Sequence, residues 1–187
     1  PNCKLRSIVH AHLGHGLIVE GTFAYLPNGN LLSLTYGSST GTGNPNHYFF
    51  YDKKNRLIEY REAYSPESPM EAVRHRYGYN NKDQIIADTL FNVGSISEEG
   101  EATYFPRIIS TLTYDNQGRI AKEKASWQGE NEPTYDYTYA YDSRGNLLVN
   151  GWNSAWYDNK VSFLRTHPIF TFLSRNYSKN NPLNLAA

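Results

Sequence analysis

Apolar and polar positions alternate along most of the chain, in short runs bounded by Asn, Asp, Gly and Pro. Alternation at period two puts every second side chain on one face of an extended strand, whereas no stretch before residue 163 keeps the 3.6 period of a helix. One set of runs, 22–25, 47–51, 75–79, 108–114 and 135–141, ends on tyrosine. A second set follows after short polar gaps, at 31–36, 57–64, 85–91, 120–127 and 147–152. A further hairpin, 5–13 and 17–25 around Gly14-His15-Gly16, opens the chain, and 154–157 adds a short stretch. The pattern predicts about a dozen antiparallel strands and an all-β class.

The gaps between the two sets are copies of one unit. Six segments align without insertions: Tyr25-Leu-Pro-Asn-Gly-Asn-Leu31, Tyr51-Asp-Lys-Lys-Asn-Arg-Leu57, Tyr79-Asn-Asn-Lys-Asp-Gln-Ile85, Tyr114-Asp-Asn-Gln-Gly-Arg-Ile120, Tyr141-Asp-Ser-Arg-Gly-Asn-Leu147 and Tyr157-Asp-Asn-Lys-Val-Ser-Phe163. Asp or Asn in second place can accept from backbone N–H groups two residues on, as a type I turn requires. The fifth place of a three-residue hairpin loop must adopt positive φ, which Gly, Asn and Asp tolerate. That place reads Gly29, Asn55, Asp83, Gly118, Gly145 and Val161. Five copies are therefore hairpins, and the β-branched Val161 makes the sixth something else.

The remaining connections, 37–46, 65–71, 92–104 and 128–133, are longer and irregular, so tight turns fall at one end of the sheet and long loops at the other. This is an up-and-down meander that either stays a curved sheet or curls into a barrel-like shell. It makes a single domain over 1–187 with a non-repeat tail from about residue 158. In the tail, 163–176 has helix-compatible apolar spacing, with Pro168 suited to a first helical turn after Thr166 or His167. A short helix or a plug-like loop is expected there, then polar turn material at 178–182.

Composition narrows the function. Lys plus Arg and Asp plus Glu are 18 each, so the formal net charge is zero. That balance argues against a nucleic-acid partner, which needs a basic face. The 16 tyrosines dominate an aromatic content of 14%. Cys3 is the single cysteine, which rules out an internal disulfide; an inert thiol and a lipid-anchored cysteine are both open readings.

The Tyr-Asp-x-x-Gly-Arg-Ile unit at Tyr114, and its relative at Tyr141, resemble the YD repeats of RHS-type proteins. Together with Tyr157-Asp-Asn-Lys, Ser178-Lys-Asn-Asn-Pro182 and Cys3-Lys-Leu-Arg-Ser-Ile8, the chain is similar to a family of bacterial lipoproteins with YD-like hairpins and a porin-like all-β fold. The resemblance implies an exported lipoprotein with a soluble barrel-like shell, at the periplasm or outer-membrane surface of a Gram-negative cell, with Cys3 or a residue upstream as the anchor; no cofactor is expected. It supplies no catalytic residue.

A membrane-spanning barrel is not expected. Its strands need about 9–11 residues with one continuously apolar face. Here Lys122, Glu123 and Lys124 put charge on both faces of 120–127, and most runs are short. The expected protein is a monomer in water.

Three clusters carry candidate chemistry. His10 and His12 share a strand face, and with His15 they form the metal candidate, although no partner motif accompanies them. Tyr135, Tyr137 and Tyr139 line one face of a strand, with Trp152 and Trp156 nearby. This is either a half-buried core face or a stacking platform for sugars or peptides. Glu98, Glu99 and Glu101 form a solvated acidic run. No nucleophile elbow or phosphate loop is present. The reading is an exported cell-envelope binding or structural module, with glycan or peptide as ligand. The rival is a glycan hydrolase with carboxylates in the long loops.

Overall fold

The computed structural model describes residues 4–12, 17–36, 45–64, 71–129, 132–148 and 157–183, which form an all-β fold with one short helix. Ten strands make one sheet in chain order: β1 (Ser7–His12), β2 (Leu17–Tyr25), β3 (Leu31–Tyr36), β4 (Asn46–Tyr51), β5 (Leu57–Ala63), β6 (Glu71–Tyr79), β7 (Ile85–Ile96), β8 (Ala102–Tyr114), β9 (Ile120–Trp127) and β10 (Thr134–Thr138). Two small sheets follow, β11 (Ala140–Tyr141) with β12 (Leu147–Leu148), and β13 (Tyr157–Val161) with β14 (Asn180–Pro182). The pairing order runs from β1 to β10 without joining its ends among the described residues, so the meander is an open sheet. Packing groups the chain into two compact units, one of Leu5–Thr111 with Ala125–Thr134, the other of Leu112–Lys124 with Tyr135–Ala187 and Pro1–Lys4.

The turns follow from the unit chemistry. Gly29, Asn55, Asp83, Gly118 and Gly145 have φ of 94°, 61°, 55°, 73° and 88°, so all five fifth places are left-handed, as expected. In each copy the fifth-place N–H donates to the second-place carbonyl, and the second-place N–H donates to the sixth-place carbonyl, as in Asn55 to Asp52 (2.9 Å) and Asp52 to Arg56 (2.9 Å). The second-place side chain meets two more donors. Asp52 Oδ1 accepts from the backbone of Lys54 (2.8 Å) and Arg56 (2.9 Å), and Asp115 Oδ1 from Gln117 (2.9 Å) and Arg119 (3.0 Å). Asn80 does the same without charge, for Lys82 (2.9 Å) and Gln84 (3.0 Å). Leu26 cannot, and in that copy Asn28 Oδ1 accepts from Asn30 instead (3.0 Å).

The first three turns each leave one extra residue on the outgoing strand, whereas the Tyr141 hairpin pairs Tyr141 with Leu147 and Ala140 with Leu148 without a shift. Tyr25 pairs with Leu31 and Ala24 with Ser33, which skips Leu32; the same shift skips Ile58 and Ile86. These bulge residues stay exposed, while seventh-place Leu31, Leu57 and Ile120 are buried. The simple alternation drawn from sequence is thus reset at these three turns.

The unit tyrosine ties successive hairpins together. Tyr51 donates its hydroxyl to the Leu31 carbonyl (2.7 Å), Tyr79 to Leu57 (2.7 Å) and Tyr157 to Leu147 (2.8 Å), each time the seventh place of the preceding copy. Tyr25 reaches the Leu5 carbonyl (3.0 Å). The sixth-place arginine completes the joint. Arg56 pairs with Asp52 and lies 4.6 Å from the Tyr79 ring centre; Arg119 pairs with Asp115 and lies 3.8 Å from that of Tyr141. Turn tips are also linked, Asn28 to Asn55 (2.9 Å) and Arg56 to Asp83 (2.8 Å).

The sixth copy ends the repeat. Asp158 Oδ1 still accepts from the Lys160 backbone (3.0 Å), but its next donor is the Asn181 backbone (3.0 Å), brought from β14. Val161 stays extended in β13. The segment expected as polar turn material at 178–182 is therefore built in. Ser178, Asn146 and Ser162 are fully buried, and Ser178 Oγ accepts from the Leu147 backbone (2.9 Å) while Asn146 exchanges bonds with Asn180. A 3₁₀ turn (Phe163–Thr166) leads to α1 (Pro168–Leu173), whose N-cap His167 accepts from the Ile169 backbone through Nδ1 (3.2 Å).

Two expectations are corrected. The connection 92–104 is not an irregular loop: β7 and β8 run 12 and 13 residues and join at a tight turn where Gly100 has φ 85°. Ser97 plays the acidic residue's part there, its Oγ accepting from the Glu101 backbone (3.2 Å). The run 135–141 is interrupted at Tyr139, between β10 and β11.

Replacing Tyr51 by Phe should lower stability by about 1–2 kcal/mol, because the Leu31 carbonyl loses its donor. Gly118→Val should cost a similar ~1–2 kcal/mol from backbone strain alone, since nothing lies within 4 Å of a Cβ built there. Urea denaturation of the variants beside the parent checks both.

Candidate functional site

The tyrosine run divides into an exposed and a covered half. Every residue of β10 is exposed, and Tyr135 and Tyr137 show 46% and 48% of their surface. Their rings stack with centres 6.5 Å apart at 29°. Tyr139 instead turns its hydroxyl to Glu123 Oε2 (3.1 Å), and burial, then the Glu123 charge, push its phenol well above the usual range. Glu123 is also held by Arg175 (3.0 Å), a non-glycine residue at φ 52° just beyond α1. Trp152 and Trp156 lie outside the described residues.

His10 and His12 stand opposite Val19 and Leu17 in the β1–β2 ladder, but their side chains, like His15, lie outside the described residues. Among the described residues no group of three His, Cys, Asp or Glu could hold a metal ion. Glu98, Glu99 and Glu101 stand exposed on the β7–β8 turn.

Sequence reading missed a row of titratable rings across β3 to β6. Tyr36, His47, Tyr60, His75 and Tyr77 follow one another with ring centres 5.8–6.2 Å apart, and Phe49 packs on Tyr60 at 5.2 Å. Carboxylates join the row. Tyr60 donates to Glu62 Oε1 (2.6 Å), and His47 Nδ1 lies 2.7 Å from the same phenol oxygen. A phenol has one proton and Glu62 only accepts, so His47 carries its proton on Nδ1 and donates to Tyr60. His75 Nδ1 meets the buried Asp88 at 2.6 Å. Burial drives the Tyr60 phenol far above its ordinary range, and Glu62 adds to that shift, so Tyr60 stays a donor. A signal existed: His47 and His75 both stand four residues before a unit tyrosine. The hydrogen bonds of the row fall into two sets, His47–Tyr60–Glu62 and His75–Asp88, with ring contact between Tyr60 and His75.

The opposite sheet face holds a cationic cluster. Buried Glu59 accepts from Arg61, Arg74 (3.0 Å) and Arg76 (2.9 Å). Burial opposes its ionisation, but the three guanidinium groups outweigh it and hold the carboxyl below the usual range. Each arginine also covers a ring: Arg61 on Phe50, Arg74 on Tyr104 and Arg76 on Phe91.

Burial, partly offset by Glu62, lowers the pKa of His47. The fold thus favours the neutral ring. Its contribution to stability should be complete above the unfolded value of about 6.5 and lost as pH falls through the folded value. Denaturation midpoints should show a steeper fall between about pH 7 and pH 5 in the parent than in His47→Gln.

No family model matches the chain, and no curated protein matches it. Solved structures resemble it in part. A Tc holotoxin pore structure from Photorhabdus luminescens, with a TccC3 mutation, is 19% identical over 71% of this chain and 7% of that one, at a TM-score of 0.42. The crystal structure of TcdB2-TccC3-TEV is 19% identical over 69% of this chain and 7% of that one (TM-score 0.41), and that of TcdB2-TccC3-Cdc42 is 16% identical over 74% and 10% (TM-score 0.41). The chain spans a tenth or less of each of these.

Proposed function

We propose that the chain is a binding or structural module of the cell envelope, exported and lipid-attached, that takes an extended glycan or peptide along β10. The observation that carries this reading is the exposed, stacked pair Tyr135 and Tyr137 on a strand whose single sheet neighbour among the described residues is β9. Phenol faces suit sugar C–H surfaces and peptide side chains, and an edge strand offers backbone N–H and C=O groups for pairing. The hairpin joints supply a stiff support for such a surface. Export and attachment rest on the resemblance of 3–8 and 178–182 to the lipoprotein family, with Cys3 or an upstream residue as the anchor.

The rival hydrolase would need two acids facing each other across a cleft. Glu98, Glu99 and Glu101, on which it leaned, stand on an open turn.

Fluorescence or calorimetric titration with soluble oligosaccharides and with unstructured peptides tests the site. The double variant Tyr135→Ala/Tyr137→Ala should fold normally and lose about tenfold or more in affinity, from two stacking contacts of about 0.5–1.5 kcal/mol each. Unchanged affinity in the folded variant would remove β10 as the site, and no binding in the parent would leave the structural role alone. Labelling cells with a radioactive fatty acid, with Cys3→Ser as control, tests the anchor.

A further inference from the structure

The unit that holds α1 contains a pocket of about 310 Å³ whose wall carries Arg119, Arg165 and Lys179 and no Asp or Glu. Thr171 and Tyr177 add hydroxyl groups to that wall. Its size sits at the lower end of the range for small-molecule sites.

The three cations are unequally satisfied. Arg119 is clamped through Nε and Nη2 by Asp115 and stacked over Tyr141. Those contacts orient the guanidinium and leave its Nη1 group free of any partner among the described residues. The side chains of Arg165 and Lys179 make no hydrogen bond or ion pair among the described residues. Asp115 therefore offsets one of three positive charges, and the wall keeps an excess of two.

Lys179 is positioned rather than loose. Its N–H donates to the Gly145 carbonyl (3.2 Å), and its own carbonyl accepts from Ser162 (2.8 Å). Its aliphatic stem lies across Gly145, where a Cβ would come within 2.9 Å of Cε. The fifth-place glycine thus serves the turn and also clears a path for the lysine. Burial keeps the Tyr177 phenol protonated and able to donate. Like charges gathered around a concave surface repel one another unless an anion joins them.

We propose that this pocket binds the oxyanion of a small polar ligand, a phosphate ester or a carboxylate carried on a sugar-sized body, with Arg119, Arg165 and Lys179 as its charged contacts. The site shares no residue with the β10 tyrosine pair and stands whether or not that pair binds a ligand.

The test is an amide and arginine-side-chain NMR titration of the full chain at low salt with inorganic phosphate, glucose 6-phosphate, glucuronate and glucose. Phosphate or glucuronate should give saturable shifts at Gly118, Gly145, Arg165 and Lys179, and glucose should give none. Tighter binding of glucose 6-phosphate assigns the phosphate ester, and tighter binding of glucuronate assigns the carboxylate. Arg165→Gln/Lys179→Gln should weaken oxyanion binding about tenfold or more and leave the denaturation midpoint unchanged, since neither side chain has a partner to lose. The Tyr135→Ala/Tyr137→Ala variant should bind the same anions as the parent. Glucose shifts equal to those of the anions, no saturation up to about 10 mM, or unchanged affinity in the Arg165/Lys179 variant would overturn the proposal.

Discussion

The hydrogen bond from a unit tyrosine to the carbonyl at the seventh place of the preceding copy, made by Tyr51, Tyr79 and Tyr157, is the contact on which these joints depend. A hairpin is stabilised by its own turn, but a meander also needs each hairpin joined to the next at the turn end, where the incoming strand has no covalent link to its neighbour. Between β3 and β4 the ladder pairs, among the described residues, only Ser33 with Tyr48 and Leu34 with His47. The Tyr51 hydroxyl extends that joint to Leu31. The same residue is the buried anchor of its copy, so one position fills the core and also accepts the stitch. A neutral hydrogen bond is worth about 1 kcal/mol, and the joint recurs, so its total rivals that of a modest apolar cluster.

This economy explains the composition. The buried set includes Glu59, Arg74, Asp88 and Ser110 beside Leu31, Phe49 and Tyr60. Charges can be buried only when paired and hydrogen-bonded, and both faces of the sheet meet that condition. On one face Glu59 is met by three arginines; on the other, Asp88 and Glu62 are met by His75 and Tyr60. Tyrosine suits the design because its ring packs and stacks while its hydroxyl reaches the backbone carbonyl of Leu31, Leu57 or Leu147 in the preceding copy.

Turn chemistry was the most legible level of the sequence. Place five had to be left-handed, and Gly29, Asn55, Asp83, Gly118 and Gly145 are; Val161 could not be, and its segment became a strand. Pro168 marked the start of α1 for an equally local reason. Features set by partners distant in sequence were not legible. Ser178 and Asn180 look like surface polar residues until Asn146 and Leu147, more than thirty positions earlier, are seen to need them. Ser97-Glu-Glu-Gly100 repeats the turn logic with Ser in place of Asp, and the substitution hid a hairpin inside an apparent loop. The His47–Tyr60–His75 row depends on register across three strands, which one-residue bulges at Ile58 and Ile86 reset. The cationic pocket joins residues from two turns and the tail, with no local motif to announce it.

Native-state amide hydrogen exchange on Tyr79→Phe tests the central claim most directly. Loss of the stitch to Leu57 should raise exchange in both β5 and β6, on the two sides of the joint, while the self-contained turn amides of Asp83 and Gln84 stay protected. Faster exchange confined to β6, with β5 as slow as in the parent, would show that the tyrosine hydroxyl does not couple one hairpin to the next.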